Sequence, residues 1–245
     1  MSQVPKTRRA LVTGGSGDIG SAICLELARQ GMQVIVHANG NLAKAEAVAQ
    51  QIVQEGGQAR AVAFDITDAE ATSAQLQALL EDAAIDVVVN NAGIHDDAPM
   101  AGMSSTQWHR VIDVSLHGFF NVSQPLLLPM ARQRWGRVVC VSSVAAVMGN
   151  RGQTNYAAAK GALHGAVKSL AREMASRGIT ANVVAPGVIQ GSMTADVFDP
   201  EHIKAIVPAA RAGKPEEVAA LVAFLCRDSA AYINGQVIGV NGGMA

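Results

Sequence analysis

Ala10-Leu11-Val12-Thr13-Gly14-Gly15-Ser16-Gly17-Asp18-Ile19-Gly20 is the stretch on which the fold turns. Three apolar residues read as a short buried strand. A glycine-rich turn follows, and then a helix whose Ile19, Ile23 and Leu27 share one face. Strand, turn and helix stand in the order that a dinucleotide pyrophosphate requires: glycines let the backbone approach the phosphates, and free amides at the helix N-terminus donate to them. Glycine spacing alone also fits an ordinary turn, so the strand before and the helix after carry the reading. Gly14, Ser16, Gly17, Asp18 and Ile19 are the expected contacts in this cradle.

Outward from this unit the same alternation continues. Apolar runs recur at 10–12, 34–36, 61–64, 85–89, 138–141, 180–184 and 237–240, separated mostly by segments of helical composition at 18–30, 41–55, 69–83, 104–124, 154–177 and 215–227. This pattern predicts an α/β fold: one Rossmann-type doubly wound domain, with a mostly parallel seven-stranded sheet and helices on both faces. Ser104 with Gln107 forms a capping box, and Pro215 followed by Glu216 and Glu217 opens the last long helix. Pro125 and Pro129 predict a stop or kink near Gln124.

The 245 residues are 49% apolar and carry no Pro/Gly/Ser-rich linker or charge block, which favours one domain over two. A formal net charge of −1 provides no global basic field for nucleic acid. Cys24, Cys140 and Cys226 are scattered and odd in number, which suggests neither a disulfide framework nor a metal site, and they read as small core residues. Met1 to Arg9 lacks a secretory apolar stretch and no segment has membrane-spanning length, so the expectation is a soluble, cytoplasmic protein without membrane association.

The second strand ends in His37-Ala38-Asn39, without the carboxylate that grips an NAD ribose and repels a 2′-phosphate. With Asn39 there, NADPH is the expected cofactor. No arginine follows to bind the phosphate, which leaves NADH open. Asp65, with Ile66 beside it, closes the third strand and is placed to accept from an adenine amino group, or else to cap a helix. Asn91, Ala92 and Gly93 follow the fourth strand as small residues beside the same cofactor.

Tyr156-Ala157-Ala158-Ala159-Lys160 sets a phenol and an ammonium on one helix face, and Ser143 ends the preceding strand. A free phenol titrates near pH 10, so acid/base work near neutrality needs a positive charge nearby, which Lys160 supplies. For carbonyl reduction Tyr156 is the proton donor, Ser143 the hydrogen-bond partner of the same oxygen, and a nicotinamide the hydride source. Taken singly these are a core tyrosine, a solvated lysine and a strand-end hydroxyl. Together with the upstream cradle they make one mechanism.

On these segments, with Pro186-Gly187-Val188-Ile189 and Val240-Asn241-Gly242-Gly243-Met244 in addition, the sequence resembles the short-chain dehydrogenase/reductase family over residues 8–245, and within it the 3-oxoacyl-acyl-carrier-protein reductases. The resemblance implies Ser143, Tyr156 and Lys160 as catalytic residues, both Tyr156 and Lys160 also touching the cofactor. It implies Pro186, Gly187 and Ile189 at the nicotinamide, and a substrate loop over about 191–212. It further implies a homotetramer built through helices 104–124 and 154–177 and through the C-terminal strand region, and an acyl thioester substrate on an acidic carrier protein met by Arg134 and Arg177 near the site entrance, with Arg132 and Arg137 extending that patch.

Three positions depart from the family pattern: Asp18 where short members carry glycine, Ser115 where the family's catalytic asparagine aligns, and Gly191 where a nicotinamide-binding threonine is usual. The reading that follows is NADPH-dependent reduction of a 3-oxoacyl thioester to the 3-hydroxyacyl thioester. A dehydrogenase of polyols, steroids or acyl-CoA, and a cofactor-binding regulatory subunit, stand as alternatives.

Overall fold

The computed structural model describes residues 7–191 and 200–245. Seven strands form one parallel sheet: β1 (Arg9–Val12), β2 (Gln33–Ala38), β3 (Gln58–Ala63), β4 (Val87–Asn90), β5 (Gly136–Val141), β6 (Ile179–Pro186) and β7 (Val237–Val240), in the order β3-β2-β1-β4-β5-β6-β7. The chain winds one way from β1 to β3 and the other way from β4 to β7. The reversal opens a crevice above the carboxyl ends of β1 and β4, where doubly wound folds bind ligands.

The helices are α1 (Asp18–Arg29), α2 (Leu42–Gln54), α3 (Ala69–Asp82), α4 (Ser105–Ile112), α5 (Gly118–Gln133), α6 (Ala145–Met148), α7 (Thr154–Met174), α8 (Pro200–Ile206) and α9 (Pro215–Leu225). Strand alternation divides the core in two. Ala10, Val12, Val34, Val36, Val87, Val89, Val139 and Val141 pack on the face with α1, α2 and α9. Leu11, Ile35, Val88, Val138 and Cys140 point to the face with α3, α5 and α7. Burial on both faces explains why the strands read as unbroken apolar runs. All three cysteines are buried, and burial pushes Cys140 and Cys226 up to about 12.

Two expectations need correction. Helix 104–124 is not continuous: α4 ends at Ile112, and one π-helical turn, Asp113–His117, joins it to α5. Nor does the chain stop or kink at Gln124, because α5 runs through Pro125 and Pro129 to Gln133. The prolines lie four residues apart on one half-buried flank, next to the stripe of Val122, Leu126 and Met130 that is buried against the sheet. Tertiary burial there outweighs the lost backbone donors. The capping box at Ser104 and Gln107 is present with both bonds, at 3.2 and 3.0 Å. Of the expected substrate loop, residues 192–199 lie outside the described residues, and α8 occupies part of the remainder.

Candidate active site

The glycine turn is tied down by its neighbours on both sides. Thr13 Oγ1 accepts from the amides of Asn91 and Ala92, both at 3.1 Å, and Asn91 Nδ2 donates to the carbonyls of Thr13 and Gly14, both at 3.0 Å. Gly14 takes φ +62°, and a Cβ there would press 3.0 Å from Ala92 Cα. A Cβ on Gly20 would overlap the Gly14 carbonyl. The turn therefore lies flat on the end of β4 and leads straight into α1, with Gly17 and Asp18 exposed at its tip. This glycine-rich backbone surface, backed by a helix N-terminus, fits a dinucleotide diphosphate.

His37 was missed by the sequence reading. Its buried ring accepts from the Gly14 amide at Nδ1 (3.3 Å) and meets the Phe64 carbonyl at Nε2 (2.8 Å), while its own carbonyl accepts from the Gly15 amide at 2.8 Å. Those partners require the neutral Nε2–H tautomer, and burial accordingly lowers the ring's pKa, with the bond to the Phe64 carbonyl and then Asp65 opposing in part. A histidine closing an apolar strand was the available signal. Its partners, 23 and 27 residues away, were not visible.

Asn39 and Asp65 line one open cavity of about 560 Å³ together with Thr67, Ile94, His109, Arg110 and Val114. Asp65 Oδ1 accepts from the Thr67 amide and hydroxyl, while the helix cap is Asp68, bonded to the Ala71 amide. Asp65 is thus not the cap of α3. Ile66 is buried, with its carbonyl held by Asn121 Nδ2 at 2.9 Å. The Ile189 side chain packs in the core. Pro186 and Gly187 end β6 at the crevice, their backbones held by the Val144 amide and the Val240 carbonyl. Ser16 sits half-buried in the turn, beside Ile19 at the start of α1.

Above the ends of β5 and β6 the structure brings Ser143, Tyr156 and Lys160 together. Asn155, fully buried, sets the start of α7: its Nδ2 donates to the carbonyls of Asp96 (2.9 Å) and Gln107 (3.1 Å), and its Oδ1 accepts from the Tyr156 amide (2.8 Å). Lys160 Nζ lies 6.0 Å from the centre of the Tyr156 ring and donates to the Val141 carbonyl at 3.0 Å. Burial lowers the ammonium to about 8, and it raises the Tyr156 phenol, against a side-chain hydrogen bond with Ser143 that works the other way. Ser142, next to Ser143, is committed elsewhere, donating to the Lys160 carbonyl at 2.9 Å.

Ser115 lies in the π-helical turn, buried, with its Oγ lacking a hydrogen-bond partner among the described residues. A Cβ on Gly93 would stand 2.7 Å from Lys160 Nζ and 3.8 Å from Ser115 Oγ, so all three share one locus. The extra residue of the π turn is what aims position 115 inward.

Arg134 and Arg177 are brought together, but not at the entrance. Arg134 ends α5 and donates to the Ser176 carbonyl at 3.0 Å; Arg177 precedes β6. Both sit at the amino edge of the sheet, about 20 Å from Ser143 along the six residues of β5. Within one chain they face away from the Ser143, Tyr156 and Lys160 cluster, which corrects the expected entrance position. Arg137 does not extend the patch, since its side chain is buried.

Residues 8–202 match the family model described as short chain dehydrogenase. The chain belongs to that family. Among its relatives are the 3-oxoacyl-acyl-carrier-protein reductases of Aggregatibacter actinomycetemcomitans, 43% identical over 96% of this chain and 98% of that one, and of Staphylococcus aureus, 44% identical over 97% and 98%. The crystal structure of an Agrobacterium tumefaciens protein described as a gluconate dehydrogenase candidate superposes with a TM-score of 0.93, at 33% identity, covering 97% of this chain and 95% of its own. The chain is an NAD(P)-dependent oxidoreductase with the Rossmann-like sheet of this family. Among the described residues no helix is long and apolar enough to cross a membrane.

Proposed function

We propose that the protein reduces a 3-oxoacyl thioester, carried on an acyl carrier protein, to the 3-hydroxyacyl thioester with NADPH. The observation that carries this reading is the cluster of half-buried Ser143 and Tyr156 with buried Lys160, set beside a glycine turn shaped for a dinucleotide, in a chain whose relatives at 41–44% identity are named for that reaction. When bound, the reduced nicotinamide supplies a hydride to the carbonyl carbon. Ser143 donates a hydrogen bond to the carbonyl oxygen and orients it. Tyr156, kept protonated by burial, gives that oxygen its proton, and the Lys160 ammonium stabilises the phenolate left behind. Ser115 Oγ, beside Lys160, holds a water through which the phenolate regains a proton. Gly14, Ser16, Gly17, Asp18 and Ile19 would face the diphosphate, and Asn39 and Asp65 the adenosine. Phe120 and Leu128, large and exposed on α5, supply a face for assembly into a homotetramer.

The test is NADPH oxidation with 3-oxoacyl groups on carrier protein, on CoA and on a small thioester, beside NADH and a free polyol. Turnover of the thioesters with NADPH and none of the polyol is expected; polyol oxidation without thioester reduction would overturn the reading. Charge reversal at Arg134 and Arg177 serves as a second arm. A rise in KM confined to the carrier-linked substrate would support a docking role from the amino edge, and equal effects on all substrates would reject it.

A further inference from the structure

The glycine turn and the segment leaving β6 lie far apart in sequence and touch across the carboxyl edge of the sheet at Asp18 and Gly191. A Cβ on Gly191 would lie 2.5 Å from Asp18 Oδ2, 2.9 Å from its Cγ and 3.1 Å from its Cβ. Because the contact reaches the aspartate's own Cβ, turning the carboxylate to another rotamer does not clear it. Asp18 is also the first residue of α1, where a carboxylate complements the positive helix end. That helix end is the place at which an anionic diphosphate binds. One side chain therefore touches the dinucleotide problem twice, through its volume and through its charge, and two of the three departures from the family pattern prove to be neighbours in space.

We propose that Asp18 and Gly191 form a coupled positioning pair that sets affinity for the dinucleotide. Asp18 fills the space that a side chain at 191 would take and spaces the segment after β6 from the glycine turn, while its carboxylate opposes the diphosphate. Gly191 is the residue that this arrangement requires. The proposal rests on the dinucleotide reading of the cradle and adds a prediction that reading does not make: the effect of changing either residue depends on the other.

The experiment is a fluorescence titration of the full-length protein with NADPH, accompanied by steady-state KM values and thermal unfolding, for Gly191→Ala, Asp18→Gly, Asp18→Asn and the two double variants. Gly191→Ala alone should weaken binding about tenfold, since overpacking must push the segment aside. In the Asp18→Gly background the same change should alter affinity less than about twofold, a coupling expected of contacting residues. Asp18→Asn keeps the shape and removes the charge, so it should tighten NADPH binding about two- to fivefold, with the gain shrinking at high salt. It should leave the Gly191→Ala penalty in place. KM for NADPH should move while KM for the thioester does not. Equal Gly191→Ala penalties with and without Asp18 would overturn the coupling. Unchanged affinity in Asp18→Asn, which leaves the packing intact and folds if any variant does, would overturn the role of the charge. Wild-type protein that binds neither NADPH nor NADH would instead refute the dinucleotide reading itself.

Discussion

The two edges of the sheet spend their polar groups in opposite ways. At the amino edge Arg9, Asp86 and Arg137 are buried and mostly committed to partners, Arg9 Nε alone of their side-chain atoms lacking one among the described residues. The Arg9 amide donates to Asp86 Oδ2 at 2.9 Å and its Nη1 to the Leu79 carbonyl at 3.0 Å, with Asp86 also 3.6 Å from Arg8. Arg137 donates to the carbonyls of Gly136 and Gly178 and lies over the Trp135 ring, 4.3 Å from its centre. At the carboxyl edge the same strands end in groups held short of full satisfaction: Lys160 desolvated to about 8, a Tyr156 phenol pushed up, and Ser115 Oγ unpartnered among the described residues. An unsatisfied buried group costs about 1–3 kcal/mol. The comparison teaches that one edge of this fold serves stability and the other gives some of it up for chemistry, so substitutions at the two edges should separate folding from turnover.

The sharpest break in that contrast comes from Lys160→Met. It removes the charge that supports the phenolate, so reduction should slow by about a hundredfold or more. Stability should move the other way. Lys160 titrates at 10.5 when unfolded and at about 8 when folded, so between those values the unfolded chain binds more protons and wild-type stability should rise with pH. In Lys160→Met this rise should be missing and the Tm at pH 7 should be unchanged or higher. Denaturant unfolding as a function of pH checks both, and a large loss of stability in the variant would erase the distinction between the edges.

At the amino edge, Asp86→Ala strips the carboxylate from the Arg9 backbone amide and the Arg8 guanidinium and should cost about 3 kcal/mol of unfolding free energy, with kcat/KM per folded molecule left as in wild type. Urea titration with activity measured at each step tests this. A fall in turnover without a fall in stability would contradict it.

A smaller effect lies between the edges, at His37. Replacement by Leu leaves the Gly14 amide without its acceptor and should raise KM for NADPH about tenfold, with kcat little changed. In the wild type the ring's pKa is depressed below 6.5, so the neutral form persists through neutral pH. Protonation as pH falls below that value removes the Nδ1 acceptor. KM for NADPH should therefore climb on the acid side in wild type and stay flat in the variant, as measured by a pH series of NADPH titrations.

The parallel sheet was legible because its central strands are buried on both faces and its helices carry clear start signals at Ser104 and Pro215. The edge strand β3 was placed three residues late: Gln58-Ala59-Arg60 is polar and partly exposed, so no apolar run marks its beginning. The split between α4 and α5 was hidden because a π-helical turn changes the period by one residue without any breaker, while the prolines that do look like breakers are overruled by packing. In the site, chemistry-bearing residues at helical or strand-end spacing were readable. Thr13, His37 and Asn155 act through bonds to residues 23 to 79 positions away, which periodicity does not report. Arg134 and Arg177 show the converse: paired in space as expected, yet on the edge opposite to the one expected.

The central claim is that Tyr156, and no other group, hands a proton to the substrate oxygen. A single-turnover measurement of NADPH oxidation with a 3-oxoacyl thioester, comparing wild type with Tyr156→Phe, tests it most directly. The account predicts a loss of about a hundredfold or more in the reduction rate, with NADPH affinity changed by less than about threefold, because the phenol's edge position leaves the glycine turn intact. A variant that reduces the thioester at close to the wild-type rate would contradict it.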